Sequence, residues 1–319
     1  MIPATAHFIW LGPSFPWVNV LSIRSAAARG GFERVVLHHD CDLSSTAWWP
    51  ELDATGGFET RQLDIPALFD RASPGDPARG QALLALYRKL DPPASRANMI
   101  RAAILASEGG CYLDIDTITV RSLAPLRAEA AVFCGVEHIC WPGVVKHGGS
   151  LPAKAKALSL AATRELFRFA PGGWRHFHHV AHLYSESVNN AVLACEPGHP
   201  FITVFLDHML EMPPEQQLRR FALGTHLLQR RVAEYRGSDL RVHPPAVFYP
   251  LGPVVSLHYF RRTARADAAL DTLLGADTRV VHWYASVETK RLVPRINPDY
   301  VRAHADTQLL SALARPYVS

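Results

Sequence analysis

A helix that runs directly into a strand constrains the fold of this chain more than any other feature. In SRANMIRAAILASEGG (95–110), apolar residues recur at helical spacing, Ser95 can cap the helix, and Gly109-Gly110 ends it. CYLDIDTITV (111–120) leaves that glycine pair with the composition of a buried strand. Four further segments have strand character: AHFIWLG (6–12), ERVVLHHD (33–40), FETRQLDI (58–65) and AAVFCGVE (130–137). Strands that alternate with helices predict an α/β fold with a mostly parallel central sheet.

Helical patterns dominate the second half of the chain. AKALSLAATRELFRFA (155–170) and PFITVFLDHMLEM (200–212) are the clearest helices, whereas NNAVLACE (189–196) fits either a helix or a strand. DTRVVHWYAS (277–286) returns to strand character, and the turn residues of SPGDPARG (73–80) predict a surface loop. Because no linker divides the chain, we predict one α/β domain with a helical elaboration in its C-terminal half.

Composition and charge exclude several classes of protein. The 319 residues carry a formal net charge of only +4, without a dense run of Lys and Arg, so nucleic acid is not expected as a partner. The five cysteines are odd in number and form no C-x-x-C pair, which favours reduced thiols. No stretch has the length and apolar character of a membrane span or a signal peptide. We therefore expect a soluble, cytoplasmic protein with no integral membrane segment.

Two aspartates interrupt the apolar run 111–120. Strand alternation would place Asp114 and Asp116 on the same face, where two carboxylates repel each other unless a cation lies beside them. Oxygen ligands suit Mg²⁺ or Mn²⁺. The alternative is that these acids form ion pairs with Arg101 or Arg121. The chain also contains a second D-x-D, Asp40-Cys41-Asp42, so the spacing alone is not specific.

The surrounding residues narrow the interpretation. ANMIRAAILASEGGCYLDIDTITVRSL (97–123) resembles the central block of the family 32 glycosyltransferases, a sugar-binding region with a D-x-D motif that also occurs in the glucosyltransferase domains of large clostridial toxins. Other segments are similar to family segments and follow in the same order: HFIWLG, VVLHHD, NNAVLACEPGHPF, VFYPL and VVHWYAS. The resemblance covers roughly residues 5–290.

This resemblance implies a GT-A fold, a single Rossmann-like α/β/α sandwich that binds a nucleotide-sugar at the C-terminal ends of its parallel strands. By the same resemblance, Asp116 would hold Mn²⁺ or Mg²⁺, and Asp114 would contact the donor and the waters of the metal. Arg101 would reach the phosphate or sugar of the donor. His282 would be a further metal ligand, although a histidine beside Trp283 and Tyr284 also fits a packed aromatic cluster.

The resemblance also implies a donor site. Trp10 would stack on the nucleotide base, and its alternative is a core tryptophan. The remaining residues assigned to donor binding are Leu11, Gly12, Asp40, Asn98, Asn189, Asn190 and Ser286. Two positions depart from the family. Asn98 stands where the family has an Asp that usually contacts sugar hydroxyls, and Val287 stands where a Trp follows Ser286. Asn98 can still bond a hydroxyl group.

We therefore expect a bacterial, metal-dependent glycosyltransferase of the hexosyltransferase type, which uses a UDP- or GDP-sugar and a small-molecule or glycan acceptor, with retention. The alternatives are a catalytically silent nucleotide-sugar-binding protein and a toxin-like protein glycosyltransferase. Residues 1–299 would form the enzyme, with a donor part to about 140 and an acceptor part over 141–299. Residues 300–319 would be a C-terminal tail. His178 and His182 in HFHHVAH (176–182) could form a metal site, but a solvated or acceptor-facing patch is expected.

Overall fold

The structure is a computed structural model that describes residues 1–142, 145, 148–219, 221–287 and 291–318. Its strands are β1 (Thr5–Trp10), β2 (Arg34–His39), β3 (Phe58–Gln62), β4 (Gly110–Leu113), β5 (Thr117–Thr119), β6 (Val132–Ile139), β7 (Ser185–Cys195), β8 (Leu240–His243) and β9 (Val280–His282). The helices of the N-terminal part are α1 (Val20–Arg29), α2 (Trp49–Asp53), α3 (Ile65–Arg71), α4 (Pro77–Arg88), α5 (Pro93–Glu108) and α6 (Ala124–Glu129). Those that follow are α7 (Leu151–Phe169), α8 (Gly173–Val180), α9 (Pro200–Glu211), α10 (Pro214–Gln217), α11 (Leu227–Glu234), α12 (Pro245–Phe248), α13 (Ala266–Leu273), α14 (Pro298–His304) and α15 (Leu309–Ala314).

Seven strands form the central sheet, in the order β3-β2-β1-β4-β7-β6-β8. The neighbours β3-β2, β2-β1, β1-β4 and β6-β8 are parallel, whereas β7 runs antiparallel to both β4 and β6. β5 and β9 leave this sheet and pair antiparallel with each other. The predicted α/β class with a mostly parallel central sheet is therefore confirmed.

Alternating apolar residues bind one helical layer to each face of the sheet. In β1, Phe8 lies in a core shared with α1 and the C-terminal helices, whereas Ile9 faces the core formed with α3, α4, α5 and α9. In β4, Leu113 lies in the first core and Tyr112 in the second. This period of two gives the three layers of an α/β/α sandwich.

The glycine pair that joins α5 to β4 is required by both conformation and space. Gly109 and Gly110 have φ angles of 66° and 96°, a region that residues with a Cβ rarely adopt. A Cβ on Gly110 would lie 2.8 Å from the carbonyl oxygen of Thr5, and one on Gly109 would lie 2.6 Å from the nitrogen of Pro197. These contacts fix where β4 enters the sheet and therefore where its carboxyl end lies.

Several local expectations differ from the structure. The strand predicted over 111–120 is two strands, because β5 leaves the sheet to pair with β9. Helix α5 begins at Pro93 with Pro92 as its N-cap, not at Ser95. Helix α4 begins at Pro77, inside the predicted loop, with the Asp76 side chain as its cap. Residues 189–195 of the ambiguous segment NNAVLACE lie in strand β7, which ends at Cys195.

The C-terminal segment packs onto the sandwich. Helices α14 and α15 contribute buried Val301, Leu309 and Leu310 to the first core, and the Tyr317 hydroxyl donates a hydrogen bond to the Thr119 carbonyl over 3.2 Å. The predicted tail, 300–319, thus contains two packed helices in its described part. Among the described residues, no helix combines the length and apolar character needed to cross a membrane.

Candidate active site

Asp114 and Asp116 lie in the turn that joins β4 to β5. The Thr117 hydroxyl donates to the Asp114 carbonyl over 2.8 Å and closes the turn. The Ser22 hydroxyl of α1 donates to the carbonyl of Ile115, the residue between the two acids. The expectation that both acids lie on one face of a continuous strand is therefore corrected: the turn brings the carboxylates together after the strand has ended.

A histidine from the far end of the chain joins these two acids. Because Thr117 of β5 pairs with His282 of β9, the imidazole lies beside the turn. Ligand atoms of Asp114, Asp116 and His282 all lie within 4.8 Å of one another. Two carboxylates and one imidazole form a donor set that fits Mn²⁺ or Mg²⁺. These three residues could therefore hold a divalent metal ion.

Asp116 is the most constrained member of this cluster. Its Oδ1 lies 3.0 Å from Nε2 of His282, and its Oδ2 accepts a hydrogen bond of 2.8 Å from the backbone N–H of Ala285. Burial alone would raise the pKa of Asp116, but the His282 imidazolium and these hydrogen bonds hold that pKa below its usual value. Burial alone would lower the pKa of His282, but Asp116 raises it. The protein thus stabilises the Asp116 carboxylate beside a protonated His282, and a metal ion that bound both side chains would displace the His282 proton.

Arg101 connects helix α5 to the acidic turn. Its side chain is buried, and Nη2 donates to Asp114 Oδ1 over 3.1 Å and to the Tyr112 hydroxyl over 3.2 Å, while Nη1 donates to the Asn190 carbonyl. The guanidinium carbon also lies 4.1 Å from the centre of the Tyr112 ring. Arg121 instead donates to carbonyls near Thr278, so Arg101 is the arginine that pairs with the acidic turn.

The asparagines predicted to bind donor lie beside Arg101 but differ in their contacts. Asn98 Oδ1 accepts a hydrogen bond of 2.9 Å from Asn190 Nδ2. A Cβ on Gly224 would lie 2.7 Å from the Asn98 amide nitrogen, so this glycine permits the close approach. Asn189 donates to Glu137 over 2.7 Å, and its Oδ1 accepts from the Ala191 N–H. Asn98 and Asn190 therefore form one polar unit, while both ends of the Asn189 amide are used within the protein.

Glu137 and Tyr284 belong to the same site and were not predicted from the sequence. The Tyr284 hydroxyl donates to Glu137 Oε2 over 2.5 Å, and the Tyr284 ring lies 4.0 Å from the His282 ring. Burial raises the pKa of Glu137, opposed by the Tyr284 hydrogen bond and the charge of His282. Tyr284 has a φ of 54°, unusual for a residue with a large side chain. The sequence signal for Glu137 was that it is a single acid in the otherwise mainly apolar strand β6.

Trp10 ends β1 at the carboxyl edge of the sheet. Its half-buried indole meets the Phe15 ring edge-on at 5.2 Å, and its buried Nε1 has no hydrogen-bond partner among the described residues. Leu11 and Gly12 follow, both half-buried, and the Gly12 N–H donates to Asp40 Oδ1 over 2.7 Å. Asp40 thus connects the ends of two neighbouring strands beside Trp10.

The remaining predicted residues lie in surface positions. Ser286 is exposed in the turn Ala285–Val287, and the side chain of Val287 lies outside the described residues. Asp42 is exposed and accepts from the Ser44 N–H over 2.9 Å. His178 and His182 are exposed on α8 and the turn after it. Among the described residues, the groups of three or more potential metal ligands do not include Asp42 or either of these histidines.

A mostly parallel sheet with a D-x-D turn at its carboxyl edge is the arrangement expected from the resemblance to GT-A glycosyltransferases. Residues 24–133, 110 of the 319 residues, match the family described as glycosyltransferase sugar-binding region containing DXD motif. The match contains Arg101 and both aspartates of the turn. The predicted family resemblance and the predicted enzyme class, a glycosyltransferase, are thus confirmed. No curated protein sequence matches the chain.

Solved structures that are similar to this chain include two further glycosyltransferase structures, one of them a toxin domain, and one mouse enzyme. The PaToxG glycosyltransferase is 16% identical, with 73% of this chain and 69% of that chain covered and a TM-score of 0.43. The ligand-free glycosyltransferase domain from the YGT toxin is 10% identical, with 76% of this chain and 80% of that chain covered and a TM-score of 0.45. The apo form of mouse xyloside xylosyltransferase 1 is 12% identical, with 87% of this chain and 96% of that chain covered and a TM-score of 0.42.

Proposed function

We propose that this glycosyltransferase transfers a hexose from a UDP- or GDP-sugar to a small-molecule or glycan acceptor, with retention of configuration. The observation that carries the proposal is the convergence of Asp114, Asp116 and His282 at the carboxyl edge of the sheet, where α/β folds bind nucleotides. The three residues would hold Mn²⁺ or Mg²⁺. A metal ion bound there supplies the positive charge that a departing nucleoside diphosphate requires.

Arg101 is proposed to act on the donor and on the turn together. Its contacts with Asp114 and with the Asn190 carbonyl hold the guanidinium in one orientation, which lowers the entropy cost of binding a phosphate or sugar oxygen. Asn98 and Asn190, bonded to each other, would offer their remaining polar atoms to sugar hydroxyls. These contacts would orient the donor before transfer.

Trp10 is proposed to bind the base of the donor. The half-buried indole stands at the end of β1, meets the Phe15 ring edge-on, and has no hydrogen-bond partner for its Nε1 among the described residues. Stacking on an aromatic ring requires no particular base, so this residue would accept uracil or guanine. Leu11, Gly12 and Asp40 would shape the adjacent loop, and Ser286 would approach the donor from the turn after β9.

The division of the chain follows the same proposal. Residues up to about 140 contain β1 to β6 and the D-x-D turn, and we assign donor binding to them. Residues 141–299 contain most of the helical elaboration, and we assign acceptor binding to them. Asn189, Asn190 and His282, however, come from this second part and reach the donor site through β7 and β9.

A donor screen tests the proposal directly. Purified protein is incubated with individual UDP- and GDP-sugars and Mn²⁺, and nucleotide release is measured with and without chelator. We expect metal-dependent release with one donor class, and an NMR spectrum of the product identifies the anomer. If the protein binds a nucleotide-sugar but neither releases nucleotide nor transfers sugar to glycan or protein acceptors, it is the catalytically silent binding protein. Transfer to protein acceptors alone would indicate the toxin-like alternative.

A further inference from the structure

Helix α7 presents an apolar stripe to solvent. At 100° per residue, the side chains of Leu151, Ala155, Leu158, Ala162, Leu166 and Phe169 fall within about 80° of one another. The opposite face packs on the protein through buried Ala157 and through Leu160, whose carbonyl accepts from the Tyr184 hydroxyl. The helix is therefore apolar on two faces, and only one of them is covered by the described residues.

The exposure of this stripe is unusual within the molecule. Its four large side chains, Leu151, Leu158, Leu166 and Phe169, are between 53% and 83% exposed. Leu183, on the turn that follows α8, is also exposed. Scattered apolar residues on a surface need no explanation, but a continuous stripe marks a surface that binds something apolar.

Positive charge is concentrated around the same stripe. Residues 148–184 contain five Lys and Arg residues and one Glu, a net charge of +4, which equals the net charge of the whole chain. Lys154 and Arg168 lie along one border of the stripe and Lys156 along the other. The single acid, Glu165, pairs with Arg164 of the same helix. The borders of the apolar stripe thus carry three cations, Lys154, Lys156 and Arg168, and one acid, Glu165, whose charge is paired with that of Arg164.

The position of α7 relates the stripe to the candidate active site. Strands β6 and β7 form a ladder that ends at Ile139 and Ser185, so the segment between them leaves and rejoins the sheet at one place. β4 pairs with β7 as far as Val192, next to the D-x-D turn. Beyond Val192, toward Ser185, β7 pairs with β6 alone. This part of the ladder runs toward α7 and lies at the edge of the sheet where β4 and β6 have their carboxyl ends. The stripe and the metal cluster therefore lie toward the same edge of the sheet.

We propose that the α7 stripe, Leu151 to Phe169 with its basic borders, docks on an anionic lipid surface. A helix with Leu and Phe on one face and Lys and Arg at its borders binds such a surface by inserting the apolar face between headgroups and pairing its cations with phosphates. A second copy of this chain fits less well, because a two-fold contact would bring like charges together. The docked enzyme would hold its active-site edge toward acceptors at the membrane.

Vesicle flotation with the purified full-length protein tests this surface without donor or turnover. Vesicles of phosphatidylcholine alone are compared with vesicles that contain 30 mol% phosphatidylglycerol. We expect binding to the anionic vesicles, weakened by high salt because screening reduces the charge attraction. Leu158→Glu/Leu166→Glu should weaken binding by about tenfold or more, since both side chains lose apolar burial in the lipid. Lys154→Glu/Lys156→Glu should weaken it by a similar factor.

Matched controls separate docking from general changes of charge or folding. Arg88→Glu/Lys89→Glu makes the same charge change at the exposed end of α4, and Leu218→Glu changes an exposed leucine elsewhere. Both controls should bind like the wild-type protein, and all variants should melt near the wild-type temperature. The proposal is overturned by absence of anionic-vesicle binding or by equal losses in the controls. It is also overturned by sedimentation that shows a wild-type dimer which Leu158→Glu/Leu166→Glu converts to monomer.

Discussion

Asp116 and His282 are 166 positions apart in the chain, and their side chains meet with 3.0 Å between Oδ1 and Nε2. The contact depends on the pairing of β5 with β9, which joins the D-x-D turn to the last strand. The carboxylate is also held by the N–H of Ala285, three residues after the end of β9. The C-terminal strand therefore completes a site whose acids lie in the first half of the chain.

Asp116→Asn should abolish metal-dependent nucleotide release while preserving the fold. The amide retains an oxygen for the Ala285 N–H but loses the charge that would hold the metal, so we expect turnover to fall by roughly 100-fold or more. Asp116→Ala leaves the Ala285 N–H without its acceptor and should also cost about 1–3 kcal/mol of stability. Turnover with Mn²⁺ and thermal melting measure the two effects.

The second D-x-D is the control for this assignment. Asp42 is exposed, its carboxylate accepts a hydrogen bond from the Ser44 N–H, and it does not belong to the Asp114–Asp116–His282 cluster. Asp42→Asn should therefore leave Mn²⁺ affinity within about twofold of wild type, because no ligand is removed. If titration calorimetry found Mn²⁺ binding lost in Asp42→Asn and kept in Asp116→Asn, the metal would belong to the other acids.

Arg101→Lys should weaken donor turnover because an ammonium group cannot replace the planar fork. Arg101 contacts Asp114, Tyr112 and the Asn190 carbonyl at once, and a lysine reaches at most part of this set. Loss of two charge-assisted hydrogen bonds predicts a fall in kcat/KM of roughly 100-fold. Steady-state kinetics with the identified donor give the value.

Arg121→Lys is a suitable comparison for that variant. Arg121 also donates to backbone carbonyls, and within the part of the chain that the structure describes its hydrogen bonds go to Gly275 and Thr278 and not to the acidic turn. Its replacement should change kcat/KM by less than about threefold. A folded Arg101→Lys enzyme with wild-type kinetics would exclude Arg101 from donor binding.

The sequence predicted the layers of the fold because their signals are local. Apolar runs such as the one around Phe8, and helical spacing before Gly109, reflect burial by neighbouring elements of one sheet. The break between β4 and β5 is different. Alternation continues through Asp114 and Asp116 without interruption, and only the pairing with β9, far along the chain, shows that the strand has ended.

The residues of the candidate site also differ in whether a local sequence signal revealed them. Asp114 and Asp116 were visible as costly charges in an apolar segment, whereas His282 followed from a family resemblance and not from its spacing. Glu137 carried only a weak signal, a single acid in an apolar strand, and Gly224 carried none. Glu137 gains its environment from Asn189 and Tyr284, and Gly224 from its approach to Asn98. Such contacts depend on the tertiary structure, which composition and periodicity do not encode.

Trp10→Ala should weaken nucleotide binding if the indole stacks on the base. Stacking contributes roughly 1–3 kcal/mol, which corresponds to a loss of about five- to 150-fold in affinity. Trp10→Phe should recover most of this loss, because a smaller ring still stacks. Titration calorimetry with UDP and GDP measures the affinities, and bound nucleotide should quench part of the tryptophan fluorescence.

Trp49→Phe provides the matched control for the fluorescence measurement. Trp49 is half-buried in α2 and was not assigned to the donor site. Its replacement should therefore leave unaltered both the nucleotide affinity and the quenching of Trp10 fluorescence by bound nucleotide. Unchanged affinity in a correctly folded Trp10→Ala protein would return Trp10 to a purely structural role.

The buried pair His7 and His38 predicts a loss of stability in mild acid. His7 Nε2 lies 3.1 Å from the Gly109 carbonyl and must donate to it, so Nδ1 accepts from His38 Nε2 at 3.0 Å. Burial lowers the pKa of His7 to about 4, while the unfolded chain titrates near 6.5. The unfolded state therefore binds more protons between these values, and stability should fall as the pH decreases from about 6.5 to 4.

The lowered pKa of His7 sets the size of this loss: the free energy of unfolding should fall by about 3 kcal/mol as the pH decreases from 6.5 to 4. Urea unfolding at several pH values measures it. His7→Gln keeps a donor for the Gly109 carbonyl and cannot titrate, so the free energy of unfolding should depend less on pH in that variant. His176→Gln, which replaces an exposed histidine on α8, should keep the wild-type slope. Equal slopes in wild type and His7→Gln would show that other groups cause the acid sensitivity.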